Sequence, residues 1–208
     1  MMKKNIILCI AMTMLTGCVT AQDIQLPEPD KSAKMTLMEA LQQRASSREF
    51  SDKEVSDAVL SQVLWAACGI NRPGEKKITA PSAINAQDIL VYVARKDGAY
   101  LYQPETNTLK KVCDEDVRKM VAGQQEFAAT APISLILVSD KTKFGDRSSG
   151  ADLMGNIDSG YVSENICLVC TALGLKTVPR MSMDKEALAK ALKLTDSQVL
   201  LLNNPIGW

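Results

Sequence analysis

The chain has 208 residues and a mass of 22.6 kDa, the size of one domain with a substantial core. With 46% hydrophobic residues, 23% charged residues, 11 glycines and 8 prolines, it is neither collagen-like nor disordered. Basic and acidic residues both number 24, so no net positive charge favours nucleic acid as a partner. The absence of histidine excludes Ser-His-Asp and Cys-His catalysis and histidine-ligated zinc. Any chemistry therefore uses other side chains or a cofactor, and we predict no metal site.

Residues 1–21 have the layout of a secretory signal segment, because Lys3 and Lys4 precede an apolar run without acidic residues. Two cleavage routes are open. The sequence Leu-Thr-Gly-Cys ending at Cys18 resembles a bacterial lipobox, in which Cys18 is acylated and tethers the protein to a membrane. The sequence Val-Thr-Ala ending at Ala21 resembles an ordinary signal-peptidase site. We expect an exported bacterial protein, either periplasmic or a membrane-anchored lipoprotein.

The cysteines beyond this segment are too few for a fold built on disulfides, although their number is even. Cys167 and Cys170 have the spacing of a redox motif. They lie inside an apolar helical stretch and not at a helix start, where a thiolate would be stabilised. We therefore predict buried structural thiols.

Residues 22–35 contain Pro27 and Pro29 among charged residues and are predicted to form an extended N-terminal arm, followed by a domain over residues 36–208. Lack of strict strand-helix-strand alternation in that domain predicts an α+β layered fold. Residues 71–86 and 141–156 are predicted to be irregular. Predicted strands are 89–94, 100–103, 108–112, 133–138 and 199–202. Predicted helices are 36–45, one between a capping box at 51–54 and Gly69, 114–130 capped by Asp114, 160–173 capped by Ser159, and 183–194 capped by Ser182.

Two segments have side chains suited to ligand binding. Arg44, Ser46 and Arg48 follow the first predicted helix, and two fixed cations with a hydroxyl suit a phosphate, a sugar hydroxyl or a carbonyl that gains negative charge. Exposed turns of this composition are also commonly just solvated. Residues 80–87 offer small residues and uncharged hydrogen-bonding groups, which suit a polyol or heterocycle and equally an ordinary Asx/Ser-rich turn.

The order of four sequence segments gives further evidence about the class of protein. Arg-x-Ser-x-Arg-x-Phe at 44–50 is followed by Leu-Trp-Ala-Ala-Cys-Gly-Ile at 64–70, Ala-Pro-Ser-Ala-x-Asn-x-Gln at 80–87 and Gly-Tyr-Val-Ser-Glu-Asn-Ile-Cys-Leu at 160–168. In this order they resemble the nitroreductase family of flavoproteins, and most of all its SagB/ThcOx-type dehydrogenase branch. The resemblance extends over roughly residues 37–207.

The resemblance implies a nitroreductase-like layered sandwich in which helices flank a central, mainly antiparallel sheet. It further implies an intertwined homodimer with FMN at two sites in its interface. Arg48 is expected near the flavin pyrimidine edge, and Arg44 and Ser46 on the phosphate side. The other FMN contacts that it implies are Pro81, Ser82, Ala83 and Asn85 from the partner subunit, Gln124 at the flavin edge, and Met181 and Ser182 near flavin N5.

The implied activity is that of an FMN-dependent oxidoreductase. A small-molecule donor reduces the flavin and an electron-poor acceptor, such as a quinone or nitroaromatic, takes the electrons; alternatively FMN oxidises a small substrate. No catalytic side chain is required, because the flavin carries the chemistry. Two other functions stay open: a flavin-fold protein that binds flavin or a small ligand without turnover, and a cofactor-free, lipid-anchored interaction module.

The C-terminal end departs from many relatives, which carry a basic motif for the FMN phosphate beyond the last strand. Here Gly207 and Trp208 end the chain. Lys176 and Arg180 are alternative phosphate ligands because they lie near a matched segment. Trp208 either covers the site or is a docked terminus, and we predict the docked terminus.

Overall fold

The computed structural model describes residues 22–208, so the predicted signal segment and Cys18 lie outside the described residues. Short 3₁₀ segments lie at Pro73–Glu75, Ala83–Asn85, Glu126–Thr130 and Lys141–Gly150. The helices are α1 (Leu37–Gln43), α2 (Asp57–Cys68), α3 (Arg118–Ala122), α4 (Ala151–Ala172) and α5 (Lys185–Ala191). The strands are β1 (Ile24–Gln25), β2 (Ile70–Arg72), β3 (Lys77–Ile78), β4 (Ile89–Arg95), β5 (Gly98–Gln103), β6 (Thr108–Cys113), β7 (Ile133–Asp140), β8 (Lys176–Thr177) and β9 (Gln198–Gly207).

A seven-stranded sheet runs through the domain in the order β1-β6-β5-β4-β7-β9-β8, and β2 and β3 form a separate hairpin. Every strand pair of the described sheet is antiparallel. In the centre, Val91 of β4 lies opposite Leu137 of β7. The predicted α+β class with a mainly antiparallel sheet is therefore confirmed.

Both faces of the sheet are covered, because side chains of a strand alternate between its two faces. Val91 and Leu137 point to the face covered by α2 and α4, where they join Leu64 and Ile166 in one buried cluster. Tyr92 and Ile136 point to the opposite face, where Val121 of α3 and Leu188 of α5 complete a second cluster. The continuous apolar run of β7 is explained by this double coverage.

The first two helices begin at side-chain caps, but the second begins later than predicted. Thr36 and Glu39 form a reciprocal capping box at the start of α1. The predicted box at 51–54 is wrong, since Ser56 caps α2 through the Val59 amide. Tertiary contacts hold the 51–54 backbone instead. Trp208 accepts a hydrogen bond from the Ser51 amide and donates its indole N–H to the carbonyl of Glu54, so the docked terminus is confirmed.

The predicted helix over 114–130 is mostly wrong. Only Arg118–Ala122 is α-helical, and Val117 rather than Asp114 precedes it. Gly123 ends the helix at φ +56°, a left-handed value that favours glycine. Residues 126–130 continue as a 3₁₀ turn.

Helix α4 begins in the predicted loop over 141–156, and it has 22 residues. Ser159 is not its cap, because it lies inside the helix and donates to the carbonyl of Asn156. Gly155 lies so close to the sheet that a Cβ there would be 2.5 Å from Ser139 Oγ. This close approach explains a glycine that resembled a loop signal in the sequence.

The last helix and the last strand also begin or end at other residues than predicted. Asp184, not Ser182, caps α5 by accepting from the Ala187 amide. Strand β9 extends to Gly207, well beyond the predicted 199–202, and residues 70–78 contain the small β2–β3 hairpin. Strands β4, β5 and β6 agree with their predictions within three residues. No helix among residues 22–208 is long and apolar enough to cross a membrane.

Candidate functional site

The segment that follows α1, residues 44–48, is fixed to the sheet through its backbone. The Arg44 amide closes the helix on Ala40, and the Ser47 amide donates to the Thr177 carbonyl of β8 at 3.0 Å. Ser46 and Arg48 are exposed, and Arg44 is half-buried. Within residues 22–208, neither guanidinium has a carboxylate within 4.0 Å. The 44–48 segment therefore presents two free cations beside a hydroxyl.

Arg180 is buried, and its guanidinium donates four hydrogen bonds to neutral acceptors. Nε donates to Gln125 Oε1 at 2.8 Å, Nη2 to the Ala122 carbonyl at 2.8 Å, and Nη1 to Asn203 Oδ1 at 2.7 Å and the Val121 carbonyl at 3.2 Å. Burial lowers the pKa of Arg180. These bonds use the donors that a phosphate would need, so Arg180 is wrong as a phosphate ligand. Lys176 on β8 is exposed.

The Arg180 bonds bring two predicted FMN-contacting segments to one cavity. Gln124 and Ser182 both line a cavity of about 690 Å³, together with Lys119 and Met183. Met181, next to it in the chain, is exposed on 65% of its surface. The 44–48 segment is bonded to β8, since the Ser47 amide donates to Thr177, three residues before Arg180 in the sequence.

Residues 80–87 are anchored elsewhere. The Ala83 amide donates to both carboxylate oxygens of Asp158 on α4, at 3.0 and 2.9 Å. The Gln87 amide donates to Ser82 Oγ at 2.9 Å. Among the described residues, the 80–87 segment makes no hydrogen bond to residues 44–48, 124 or 181–182. Within one chain, the structure thus brings Gln124 and Ser182 to one cavity, whereas the 44–48 and 80–87 segments are anchored at other places.

The backbone of the 80–87 segment is strained. Ile84, Asn85 and Gln87 have φ of 50°, 58° and 49°, in the left-handed region that residues with a Cβ seldom adopt. Ile84 is β-branched and half exposed, so burial does not compensate for its backbone conformation. Such strain persists where the surroundings hold it and is common at ligand-binding segments.

Sequence reasoning missed the residues that hold these segments in place. Asp158 lies between the predicted loop over 141–156 and the predicted cap Ser159, and Gln125 follows the predicted Gln124 without any distinguishing pattern. Asn203 and Asn204 gave the one usable signal, because two consecutive amides in a buried terminal strand need partners. Asn203 binds Arg180, and Asn204 accepts from Ser163 at 2.9 Å.

Among the described residues, the cysteines and acidic residues form no metal site or reactive thiol centre. Burial raises the pKa of Cys68 to about 12 and that of Cys167 to about 11, which disfavours the reactive thiolate. All four cysteines of residues 22–208 are free thiols, and Cys167 and Cys170 are buried as predicted. No group of three or more potential metal ligands occurs within that range.

An antiparallel sheet covered by helices on both faces defines an α+β domain, in which a cavity is lined by α3, the residues after it and residues 182–184. The sequence profile of the nitroreductase family matches residues 41–208. A candidate nitroreductase of Methanocaldococcus jannaschii is 30% identical over 198 residues, spanning 89% of this chain and 96% of that protein. The chain belongs to the nitroreductase family, a family of oxidoreductases whose members typically bind FMN.

Solved structures agree with this assignment. A candidate nitroreductase of Ralstonia eutropha JMP134 superposes with a TM-score of 0.83 at 34% identity, covering 89% of this chain and 88% of that one. A chain of the Escherichia coli microcin synthetase McbBCD complex, solved with truncated pro-MccB17, gives a TM-score of 0.69 at 18% identity, covering 99% and 84%. The second likeness is one of fold alone. The family resemblance predicted from the four ordered segments is confirmed.

Proposed function

We propose that this protein is an exported FMN-dependent oxidoreductase that passes electrons from a small-molecule donor to an electron-poor acceptor, such as a quinone or nitroaromatic, or oxidises a small substrate. The observation that carries the proposal is the cavity of about 690 Å³ shared by Gln124 and Ser182, two residues far apart in the sequence that the family resemblance assigns to FMN. A cavity of this size is within the range of small-molecule sites.

The free cations of the 44–48 segment fit an anionic cofactor. Arg44 and Arg48 have no carboxylate partner in the described chain, so binding an anion costs no ion pair. Arg44 and Ser46 would hold the phosphate, and Arg48 would stabilise negative charge at the pyrimidine edge. Because Ser47 fixes this backbone to β8, the side chains start from a rigid base.

Two-electron transfer through N5 is the chemistry that bound FMN supplies. The chain's own residues then have three tasks. The Gln124 amide would orient the flavin edge by hydrogen bonding, the backbone around Met181 and Ser182 would approach N5, and the cavity would admit the donor and the acceptor in turn. None of these tasks needs a side chain that gives up or accepts a proton, which agrees with the absence of histidine.

A homodimer is supported by exposed apolar side chains on two helices that pack together. On α1, Leu37 and Met38 are 64% and 72% exposed. On α4, Leu153, Ile157 and Tyr161 are 69%, 47% and 46% exposed at the four-residue spacing of one helix face. Apolar patches of this kind commonly mark protein interfaces. In the proposed dimer, Pro81, Ser82, Ala83 and Asn85 reach the partner's FMN, which accounts for their separation from the other segments within one chain.

Export is proposed from residues 1–21, with Cys18 as the lipidation site if the lipobox is used. The test is fractionation of bacterial cells that produce the full chain. The lipoprotein route predicts membrane association that is lost in Cys18→Ser, whereas the soluble route predicts release that this change does not affect. Protein that stays in the cytoplasm with residues 1–21 attached would contradict export.

The first test of the proposed function is a visible absorption spectrum of the purified protein, taken before and after addition of FMN and removal of unbound flavin. The expected result is about one flavin per chain. Reduction by a nicotinamide donor and reoxidation by a quinone would then establish turnover. Protein that stays colourless after FMN loading would contradict the proposal and favour a cofactor-free interaction module. Bound flavin without turnover would favour a flavin-fold protein that binds flavin and does not react.

The site is tested with Arg48→Ala, compared with Lys110→Ala, which removes an exposed cation from β6. Arg48→Ala is expected to raise the Kd for FMN about tenfold or more, because a charge-assisted bond is lost. Lys110→Ala is expected to retain the wild-type Kd. Equal Kd values for wild type and Arg48→Ala would contradict the assignment of Arg48 to the FMN site. They would not contradict flavin binding as such.

A further inference from the structure

Two buried carboxyl groups lie behind the 80–87 segment. Asp88, at the start of β4, and Asp158, on α4, are 0% and 1% exposed. No lysine or arginine nitrogen of residues 22–208 lies within 4.0 Å of either one. Buried charges without a counter-ion are costly, so this pair needs another source of stabilisation.

The hydrogen bonds assign the proton in this pair. Asp158 accepts from the Ala83 amide with both oxygens, as an ionised carboxylate does. Asp88 Oδ2 accepts from Ser139 Oγ at 2.5 Å, but Asp88 Oδ1 is buried and has no donor. The Asp88 carboxyl lies within hydrogen-bonding reach of Asp158. Two ionised carboxylates so placed repel each other, whereas a proton on Asp88 lets it donate a hydrogen bond to Asp158.

We propose that Asp88 and Asp158 share one proton and, through the Ala83 amide, position the 80–87 segment for the cofactor, an inference that rests on the proposed function. With the proton in place, Asp158 stays next to Asp88 and holds the strained backbone at Ile84 and Asn85. Without it, two like charges meet in a buried site, and Asp158 can relax only by leaving Asp88 and with it Ala83. Asp88 and Asp158 are thus positioning residues.

Burial and the charge of Asp158 both favour the protonated form of Asp88. Burial, the largest cause, and the neighbouring Asp158 both raise the pKa of Asp88, while the Ser139 hydroxyl lowers it, and together they place this pKa at about 6. The facing groups are Asp158 from α4, Ser139 from β7 and the Ala83 amide. Beyond Ser139, a cavity of about 240 Å³ is lined by Lys185 and by Lys141 and Asp152, which pair with each other at 2.7 Å. The next carboxylate on β7, Asp140, accepts from Thr142.

The proton is tested without any cofactor. In purified protein with labelled aspartate and alanine, NMR follows the Asp88 carboxyl and the Ala83 amide from about pH 4 to about pH 8. Both signals are expected to shift together with a midpoint at about 6. In Asp88→Asn, the amide can donate to Asp158 and accept from Ser139, so the Ala83 transition is expected to vanish. An Ala83 amide that does not respond in the wild type over this range would overturn the shared proton.

The link to the cofactor is tested by FMN affinity. Because a phosphomonoester itself loses a proton near pH 6, the quantity of interest is the ratio of the Kd of the wild type to that of Asp88→Asn. This ratio is expected to rise about threefold or more between about pH 5 and about pH 8. Asp152→Asn, which removes an exposed carboxylate from the same helix, is expected to keep the wild-type profile. Asp158→Ala is expected to weaken FMN binding about tenfold at every pH.

The two proposals fail in different ways. If FMN binds and Asp88→Asn keeps the wild-type pH profile, the positioning role is wrong and the proposed function stands. If the Ala83 transition occurs as expected but FMN binds at no pH, the shared proton stands and the assignment of the segment to a cofactor falls.

Discussion

Arg180 and Asn203 are joined through both backbone and side chain. Their backbones exchange two hydrogen bonds of 2.8 Å, and Arg180 Nη1 donates to Asn203 Oδ1 at 2.7 Å. The remaining donors of the guanidinium hold the carbonyls at the end of α3 and the Gln125 side chain. One buried cation therefore connects the last strand to the segments on both sides of the proposed FMN cavity.

Replacing Arg180 with methionine, a side chain of similar length, is expected to lower the free energy of unfolding by about 2–4 kcal/mol, because several buried acceptors lose their donors. The measurement is urea unfolding. Arg95→Met is the control, since Arg95 is partly exposed and paired with Asp57 at 2.7 Å; its loss is expected to cost less than about 1 kcal/mol. Equal effects of the two changes would contradict the stabilising role of Arg180.

Two glycines of α4 are expected to respond to alanine with opposite signs. At Gly155 a Cβ would lie 2.5 Å from Ser139 Oγ and 2.9 Å from Ser139 Cβ, so Gly155→Ala should destabilise the fold by about 1–3 kcal/mol. At Gly160 no atom lies within 4 Å of the added Cβ, and Gly160→Ala should stabilise the helix by up to about 1 kcal/mol. Thermal unfolding of both variants measures the difference, and stabilisation by Gly155→Ala would contradict the close packing of α4 on β7.

The raised pKa of Asp88 makes stability depend on pH. The protonated form is favoured in the folded protein, so the stability associated with it is fully present below about pH 4 and is lost as the pH rises through the folded pKa of about 6. The Asp88→Asn variant does not lose this stability as the pH rises, because an amide does not ionise. Its free energy of unfolding relative to the wild type should therefore rise with pH from below about pH 4 to about pH 7, by about 3 kcal/mol in total, then stay constant. A difference that does not vary with pH in chemical denaturation would contradict the shift.

The apolar face of α4 provides a test of the dimer. Ile157→Lys places a charge in the middle of the proposed interface and is expected to reduce the mass in solution from that of two chains to that of one. Lys190→Glu, an exposed change on α5 on the other side of the sheet, is expected to leave the mass of two chains. Light scattering measures both variants, and a wild type that is already monomeric would contradict the dimer.

Among the cysteines of residues 22–208, Cys113 is expected to react first with a thiol reagent. It is only partly buried, whereas the thiols of Cys68, Cys167 and Cys170 are buried with raised pKa values. In native protein, Cys113→Ser should remove one equivalent of fast labelling. Fast labelling that persists after this change and disappears instead in Cys170→Ser would show that α4 opens in solution.

Local sequence was sufficient where the structure depends on short-range patterns. The apolar run of β7, the strands around the 103–108 turn and the end of α2 at Gly69 follow from periodicity and turn residues. The cations of the 44–48 segment were also predictable, since their position after a short helix needs no tertiary partner. The order of four motifs identified the family, because a relative order of segments is a property of the sequence itself.

Tertiary structure decided what depends on distant partners. Ser51–Glu54 matched a capping box, yet Trp208 takes its backbone hydrogen bonds. Gly155 resembled a loop residue because the sequence does not show that Ser139 lies against it. The sequence predicted Arg180 as a phosphate ligand, but in the fold its guanidinium binds neutral acceptors. No sequence pattern indicated that Asp88 and Asp158 lie next to each other. The order of the motifs determined the family and the pattern of helices and strands the layers, whereas burial and long-range hydrogen bonding determined which charged groups are free to act.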